Sequence, residues 1–484
     1  MRNGYRLLPL AFVIIVALGV DGRASAQSRE TGDPPGQWVE LGPDGWQSSQ
    51  SVAISPDWPS DPFIAALRYD GLALSHNGGQ TWRFESIPVQ ISGRDPSERL
   101  SNLTVAPLHH GEHILFGLAE HRVLRSIDEG RTWSDVLLRS PRSTLSGQGP
   151  SRDILGQRIL ALSPQFADDG FAMVTADDHL YTSSDAGMSW RRVDPLPGQQ
   201  IWQASLSPAF GTDRTIVVAA VAGGFPNASQ APYDTDPNRA LRNERSAGVV
   251  ISEDGGESWR VTSRGLELDG VPCRHVHIIV MSPTFAQDGM LFAFAWGPEP
   301  PGAVAPSPVP VAIFRSTDRA ESWAPVWRRD PPSPETRRPM AYGRDYGLLR
   351  LPMDFAASGT GRMSLPNVSG SPSGGACEVL VMESYGRDWS ELERRGSEVP
   401  CPIWRQFGTS DGLVSYKVQT GTAPTWQRSF GTEGRWERVA PPGIIQPSQY
   451  TSATFASDGT IIQAGEQGIW ALGPSARAME GGRP

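Results

Sequence analysis

The chain of 484 residues has almost no lysine: Lys417 stands alone among 43 basic residues. That speaks against Schiff-base chemistry and against a phosphate loop, which both need a placed lysine. There are three cysteines, Cys273, Cys377 and Cys401. Three do not make a disulfide framework, so core burial has to supply the stability. Cys377 and Cys401 are the pair close in sequence, and an oxidising compartment would permit them to bridge. Charged residues make up only 20%, with a net charge of −9. No basic surface for nucleic acid or for an anionic membrane is expected. There is no Gly-X-Y period, which excludes a collagen, and 52 Gly with 43 Pro exclude a long coiled coil. Long apolar runs are also missing, apart from Leu7 to Val20, which at 14 residues is short of the roughly 20 that a membrane span needs.

That run has the anatomy of a signal peptide. Arg2 and Arg6 precede it, and Ala24-Ser25-Ala26 offers a small-x-small cleavage site before Gln27. Residues 1–26 are therefore expected to be removed and 27–36 to form a short linker. The folded part is expected over 37–473, with 474–484 as a disordered tail. The mature chain is expected in the periplasm, the envelope or the medium, with no membrane span after cleavage. Sixteen Trp argue for a real core.

The dominant signal is a repeat. Residues 75–82 (SHNGGQTW), 126–133 (SIDEGRTW), 183–190 (SSDAGMSW), 252–259 (SEDGGESW) and 316–323 (STDRAESW) share the pattern S-x-[DN]-x-G-x-[ST]-W. The defining residues are Ser75, Asn77, Gly79 and Trp82; Ser126, Asp128, Gly130 and Trp133; and Ser183, Asp185, Gly187 and Trp190. The last two copies contribute Ser252, Asp254, Gly256 and Trp259, then Ser316, Asp318 and Trp323, with Ala320 in place of the glycine. Each copy is preceded by an apolar stretch ending in Ser-Pro or Ala-Pro, such as 162–164, 206–208 and 281–283. The tryptophans are 51, 57, 69 and 64 residues apart. Four short strands per unit of this length is the signature of propeller blades. The Pro-containing stretch ends the inner strand A, the next runs are B and C, and the Trp opens the outer strand D. The motif is then the C–D hairpin. Its Asp can accept backbone N–H groups one or two residues on, and Gly supplies a conformation that other residues resist. The Trp is the anchor, burying about 150–250 Å². These residues read as a structural clip and not as a catalytic set.

The copies resemble the Asp-box, or BNR repeat, of sialidases, xyloglucanase-type glycosidases, sortilin-type receptors and photosystem-assembly-factor-like proteins. The resemblance covers residues 53–323 strongly and the rest weakly. It implies an all-β fold, a single β-propeller of four-stranded blades, and no one activity. Beyond Trp323 the pattern decays. Counting 349–392 and 407–439 as separate units gives eight blades; merging residues 324–439 gives seven. The 113 residues from Trp323 to Trp436 halve to about 56, which favours eight. The last unit, from Ala453, lacks a D strand, and residues 37–41 (QWVEL) have no unit of their own. The N-terminal strand is expected to complete the last blade and close the ring.

The long connections sort to one face. Residues 137–158 and 324–345 join D to A, and 223–247 and 297–310 join B to C. Insertions of this kind mark a working face. The richest, 223–248, carries Asp234, Asp236, Arg239, Arg242, Glu244 and Arg245 as candidate partner-binding residues. Cys273-x-His275-x-His277 would place three possible ligands on one side of a strand, but no fourth partner is legible. Residues 109–113 (HHGEH) read as a polar turn. No metal and no cofactor are expected. The resemblance to sialidases would require an F/Y-R-I-P motif, and the nearest string, 85–88 (ESIP), has Ser86 at the Arg position. A xyloglucanase-like enzyme would need two carboxylates flanking a cleft, and its paired propellers need a longer chain. The expected function is a non-enzymatic exported monomer that binds a protein or glycan through the insertion-bearing face. The alternative is a divergent glycoside hydrolase.

Overall fold

The computed structural model describes residues 39–42, 49–86, 100–138, 160–222, 244–297, 310–330, 349–366 and 377–395, save gaps of up to three residues. It also describes the strands Ile403–Gly408, Val414–Thr420, Thr425–Phe430, Trp436–Arg438 and Ser452–Phe455, and residues 460–465 and 468–473. Among these residues the protein is all-β, with eight four-stranded antiparallel sheets and one two-stranded hairpin.

Seven of the large sheets are consecutive meanders. Sheet 1 is Ser49–Ile54, Ile64–Arg68, Gly71–Ser75 and Arg83–Ser86. Sheets 2 and 3 run from Asn102 to Leu138 and from Leu160 to Val193. Sheet 4 runs from Gln199 to Val261 and sheet 5 from His275 to Arg329. Sheets 6 and 7 run from Leu349 to Arg395 and from Ile403 to Arg438. The eighth joins the two ends of the described chain. Its strands are Ser452–Phe455, Ile461–Gly465 and Gly468–Leu472, with Val39–Glu40 antiparallel beside the last.

Burial follows strand order within a sheet. In sheets 1, 4 and 5 the second and third strands are covered on both faces, as in Ile216–Ala222, where every residue is buried. The outer strand alternates, as in Arg83–Ser86. The apolar clusters lie between successive sheets. Val52, Trp58, Ile462 and Ile469 join sheet 8 to sheet 1, and Leu74, Leu103 and Leu115 join 1 to 2. Phe116, Leu160 and Phe166 join 2 to 3, and Met173, Ala204 and Phe210 join 3 to 4. Val217, Ile279 and Phe285 join 4 to 5, and Phe294, Phe355 and Met382 join 5 to 6.

The repeated Ser–Asp–Gly–Trp motif forms the hairpin between third and fourth strands, and the bonds from its Ser to the third and fifth positions recur in each copy. In residues 252–259, the Ser252 Oγ donates to Asp254 Oδ1 at 2.8 Å and accepts the Gly256 N–H at 2.8 Å. Asp254 Oδ1 also accepts the Glu257 and Ser258 N–H groups, each at 2.9 Å, and Oδ2 accepts the Ser258 hydroxyl at 2.5 Å. The carboxylate thus reaches three and four residues ahead, farther than the local turn expected from sequence. The fourth and fifth positions are both left-handed: φ is +56° at Glu129 and +83° at Gly130, and +58° at Arg319 and +68° at Ala320. The Trp immediately precedes the outer strand. Trp133 Nε1 donates to Gly130 O at 3.0 Å. Trp323 is buried and donates to Thr262 O at 2.6 Å, while Trp82, Trp133, Trp190 and Trp259 keep an exposed edge.

Two features were not foreseen. Residues 382–389 (MESYGRDW) form a sixth hairpin of the same kind, with φ of +56° at Tyr385 and +77° at Gly386 and Trp389 Nε1 donating to Gly386 O at 3.1 Å. The first-to-second-strand turn is a second repeated clip. It contains the one-turn helices Phe166–Asp169, Phe210–Asp213 and Phe285–Asp288. Ser163, Ser207 and Ser282 donate to Asp169, Asp213 and Asp288 at 2.6, 2.7 and 2.6 Å, and each Asp accepts the N–H two residues on. The Phe of each turn is fully buried between sheets.

Candidate functional sites

At the start of the inner strands the ladder is interrupted. Register shifts fall between Ser49 and Ser51, between Ile201 and Gln203, and between Val276 and Ile278. The extra residue of each bulge is Gln50, Trp202 and His277. A bulge turns a side chain that strict alternation would have aimed elsewhere, so two neighbouring inner strands, in sheets 4 and 5, bring their bulged residues together. Trp202 meets His277 edge-on with ring centroids 4.7 Å apart, and meets His275 at 5.0 Å. The two imidazoles stack at 4.6 Å, and Trp296 closes the far side, 4.7 Å from His277. His275, His277 and Trp296 are buried, while Trp202 is partly exposed. Gln203 Oε1 accepts the Ile279 N–H at 2.8 Å, tying the two inner strands across the seam.

Cys273 lies apart from the imidazole pair: it precedes the strand that begins at His275, while His275 and His277 share a side with their rings stacked. Cys273 is buried with Leu266 and Leu268, and burial pushes its thiol up to about 12. A thiol held protonated is a poor nucleophile. Of the candidate partner-binding loop, Asp234, Asp236, Arg239 and Arg242 lie outside the described residues. Glu244 and Arg245 are exposed, and the Arg245 carbonyl accepts from Gln199 Nε2 at 3.1 Å. The Cys377–Cys401 pair also lies outside, because Cys401 is not described.

A second cluster sits at the opposite end of the inner strands, between sheets 1 and 2. It draws on the first Ser–Asp–Gly–Trp hairpin (His76), the second (Glu129) and the two first-to-second-strand turns (Asp61, His113). Glu129 Oε1 lies 3.2 Å from His76 Nε2 and 3.6 Å from His113 Nδ1. His113 Nε2 lies 2.9 Å from Asp61 Oδ2, and Arg83 Nη2 donates to Glu129 Oε2 at 2.6 Å. Phe63 stacks on His113 at 3.9 Å and touches His76 at 5.0 Å, fixing both rings. Burial works against the Asp61 charge, but hydrogen bonds from His113 and Ser55 outweigh it and hold the carboxyl below the usual range. Burial likewise disfavours imidazolium at His113, and Asp61 with Glu129 holds the ring above its ordinary value. Asp57 beside them is held above its ordinary value by burial and by the charge of Asp61. In the sequence His113 belongs to a polar turn. His109 and Glu112 do close that turn, with N–H to O bonds of 3.1 Å both ways, while His113 points inward. Its partners lie 52 and 16 residues away in sequence, which is why no local motif announces them.

No family model matches the chain. It is 22% identical over 325 residues to a xyloglucanase of a Paenibacillus species, covering 60% of this chain and 28% of that protein. It is 23% identical over 313 residues to a xyloglucanase of Hypocrea jecorina, covering 58% and 33%. The chain spans about a third of the length of these curated relatives. Among solved structures, YCF48 from Cyanidioschyzon merolae matches with a TM-score of 0.39 and 13% identity, over 90% of this chain and 98% of that one. An ancestral GH74 enzyme matches with a TM-score of 0.45 and 12% identity, over 90% and 54%. The structural neighbours are β-propeller proteins.

Proposed function

We propose that the eight sheets are blades of one closed β-propeller, and that the chain is an exported glycoside hydrolase-like protein that takes a β-glucan of the xyloglucan class. Adjacency of sheets 8 and 1, and the Val39–Glu40 strand that pairs with Gly468–Leu472 in sheet 8, support the ring. The Ser–Asp–Gly–Trp hairpins support it too, and the leader-like start of the sequence supports export. A binding module is the first expectation from the sequence and a hydrolase the alternative; the two xyloglucanase relatives favour the alternative.

The observation that carries the reading is the bulged aromatic–imidazole cluster of Trp202, His275, His277 and Trp296. Carbohydrate and other ligand sites combine aromatic walls with a few placed polar groups. Trp202 offers a partly exposed ring backed by stacked rings that cannot easily yield. The surface lies at the end of the inner strands from which the long connections spring. A test is to incubate the protein with xyloglucan and follow both binding and reducing-end release. Wild type should bind and release oligosaccharide, and Trp202→Ala should weaken binding by roughly tenfold or more, the loss of about 1.4 kcal/mol or more. No binding and no release across xyloglucan, unbranched β-glucan and cello-oligosaccharides would overturn the proposal.

A second reading, binding without hydrolysis, has one observation in its favour. A glycosidase needs a carboxylic acid held protonated near neutrality. Among the described residues the carboxyls raised above their ordinary value are Asp57 and Asp169, each held up first by burial. Both lie in first-to-second-strand turns, at the far end of the inner strands from Trp202. Binding of xyloglucan without product would select this reading.

A further inference from the structure

We propose that His76, His113 and Glu129 form a binding site for a divalent transition metal, zinc foremost, at the seam between sheets 1 and 2. The argument begins with distances. In a tetrahedral zinc site with bonds of about 2.0–2.1 Å, neighbouring ligand atoms lie about 3.4 Å apart. Glu129 Oε1 is 3.2 Å from His76 Nε2 and 3.6 Å from His113 Nδ1, and all three donor atoms lie within 4.8 Å of one another. Two imidazoles with one carboxylate form a donor set suited to zinc, copper or nickel and poorly suited to magnesium or calcium, which take oxygen.

The surrounding groups have the form that metal ligands require. A ligating imidazole donates its other N–H to a carboxylate or carbonyl, which fixes the ring and raises its basicity. His113 makes that bond from Nε2 to Asp61, leaving Nδ1 to face Glu129. The carboxylate is held in turn: Arg83 takes Glu129 Oε2, so Oε1 is the oxygen left for a metal. Phe63 packs against both imidazoles. In the neutral ring with Nε2–H given to Asp61, the Nδ1 lone pair of His113 and the Glu129 oxygen are two acceptors face to face, and a cation between them takes the place of the proton that the imidazolium holds there.

Comparison along the repeat shows that the arrangement is particular to this seam. Arg214 occupies in sheet 4 the place that His113 occupies in sheet 2, one turn residue before the apolar start of the second strand. It reaches Asp169 of the preceding sheet at 3.9 Å. At the next seam Arg319 reaches Asp213 at 3.7 Å. A guanidinium bridges sheets but cannot ligate a metal. At the first seam the bridging residue is an imidazole, and position four of the hairpin is the carboxylate Glu129, where other copies have Gly78, Ala186, Gly255 and Arg319. His76 lies at the rim, with about half its side chain exposed. Three protein ligands with the remaining position open to solvent is the stoichiometry of sites that exchange a water for a ligand.

The test uses tag-free full-length protein stripped with chelator. Zinc uptake is measured by calorimetric titration and by elemental analysis after dialysis. Cobalt is then substituted to read its visible spectrum. Wild type should take up one zinc per chain, and its cobalt form should show the intense bands of a tetrahedral ion. His76→Ala removes a rim ligand that is about half exposed and meets the core only at the Phe63 ring. It should keep the melting temperature of the metal-free protein and lose affinity by about 100-fold. Asp61→Asn, which acts through His113, should cost about 10–100-fold. His109→Ala, on the neighbouring exposed turn, should bind as wild type. No stoichiometric uptake by wild type would overturn the proposal, and so would undiminished binding in His76→Ala. In that case the cluster is an imidazolium held between two carboxylates. Because the readouts are metal uptake and spectrum, failure here leaves the glycan proposal standing, and the reverse also holds.

Discussion

The fifth position of the Ser–Asp–Gly–Trp hairpin allows the cost of its backbone conformation to be separated from the cost of crowding. Gly256 has φ of +95°, and a Cβ built there would meet nothing closer than Trp259 Cζ2 at 3.6 Å and Ile216 Cδ1 at 3.7 Å. Gly187 has φ of +79°, but its Cβ would lie 2.4 and 2.6 Å from two atoms of the Phe116 ring. That ring is fully buried between sheets 2 and 3 and set edge-on to Phe166, so it has nowhere to go. Ala320 occupies the same position at φ of +68° and is fully buried. A left-handed residue with a Cβ costs about 1–2 kcal/mol, and the lower entropy of the unfolded chain returns about 0.4–1 kcal/mol. Gly256→Ala should therefore destabilise by about 0.5–1 kcal/mol. Gly187→Ala adds overpacking of about 1–3 kcal/mol, for roughly 2–4 in all. Ala320→Gly relieves the strain but loses chain restriction and a buried methyl of about 0.8 kcal/mol; the three nearly cancel, within about 0.5 kcal/mol. Urea unfolding followed by tryptophan fluorescence, comparing midpoints at a shared slope, measures all three. Equal losses in Gly187→Ala and Gly256→Ala would show that Phe116 is not wedged under the third hairpin. A gain above about 1 kcal/mol in Ala320→Gly would show that the fifth hairpin carries strain the packing does not repay.

Other consequences are more direct. Trp323→Ala should destabilise by about 3–5 kcal/mol, because the ring is buried and its Nε1 bonds Thr262 O. Trp190→Ala should cost less, since that ring keeps an exposed edge and its Nε1 makes no hydrogen bond; parallel denaturation curves rank the two, and the reverse order would refute the assignment. For Asp254, burial is outweighed by hydrogen bonds from Ser258, Ser252 and Glu257, which bring its carboxyl down to about 2. Its folded value lies below the unfolded one of about 3.9. Its stabilising contribution is therefore complete above that unfolded value and is lost as pH falls through about 2. The gap in stability between wild type and Asp254→Asn should be largest above pH ~4 and close towards pH ~2; a gap independent of pH would sink this account. The Cys273 thiol, raised to about 12 by burial, should resist alkylation at pH ~8 in the folded protein and react on unfolding; site-resolved mass spectrometry would detect early labelling if the hairpin at Glu267–Leu268 did not cover it.

The clip residues were legible because the motif is local: Ser, Asp, Gly and Trp lie within eight residues and their bonds are made among themselves. The sixth copy was missed because residues 382–389 keep only Gly386 and Trp389 of the pattern. A search for G-x-x-W after an apolar strand would have found it. The Ser–Asp bonds of the first-to-second-strand turns were half visible as recurrent Ser-Pro and Phe, and the Asp six residues after the Ser was the unread part. The expectation that Cys273, His275 and His277 share one side requires one strand to carry all three. The strand begins at His275, so the two imidazoles share a side and Cys273 turns into the core.

The two sites differ in how far they depend on the repeat. The Trp202 cluster depends on inner strands that break their own register, so it departs from the repeat in backbone. The His76–His113–Glu129 cluster leaves the backbone of the repeat intact: Glu129 keeps the left-handed φ of its position, and His113 takes the place of a bridging arginine. Only the side chains change. In a repeat architecture each seam is packed by equivalent positions, so a substitution at such a position places new chemistry between two sheets without altering the fold. A seam that adds two imidazoles to its guanidinium–carboxylate pair, Arg83 with Glu129, is therefore better explained by a ligand than by packing. The seams between sheets 3 and 4 and between sheets 4 and 5 are bridged instead by Arg214–Asp169 and Arg319–Asp213.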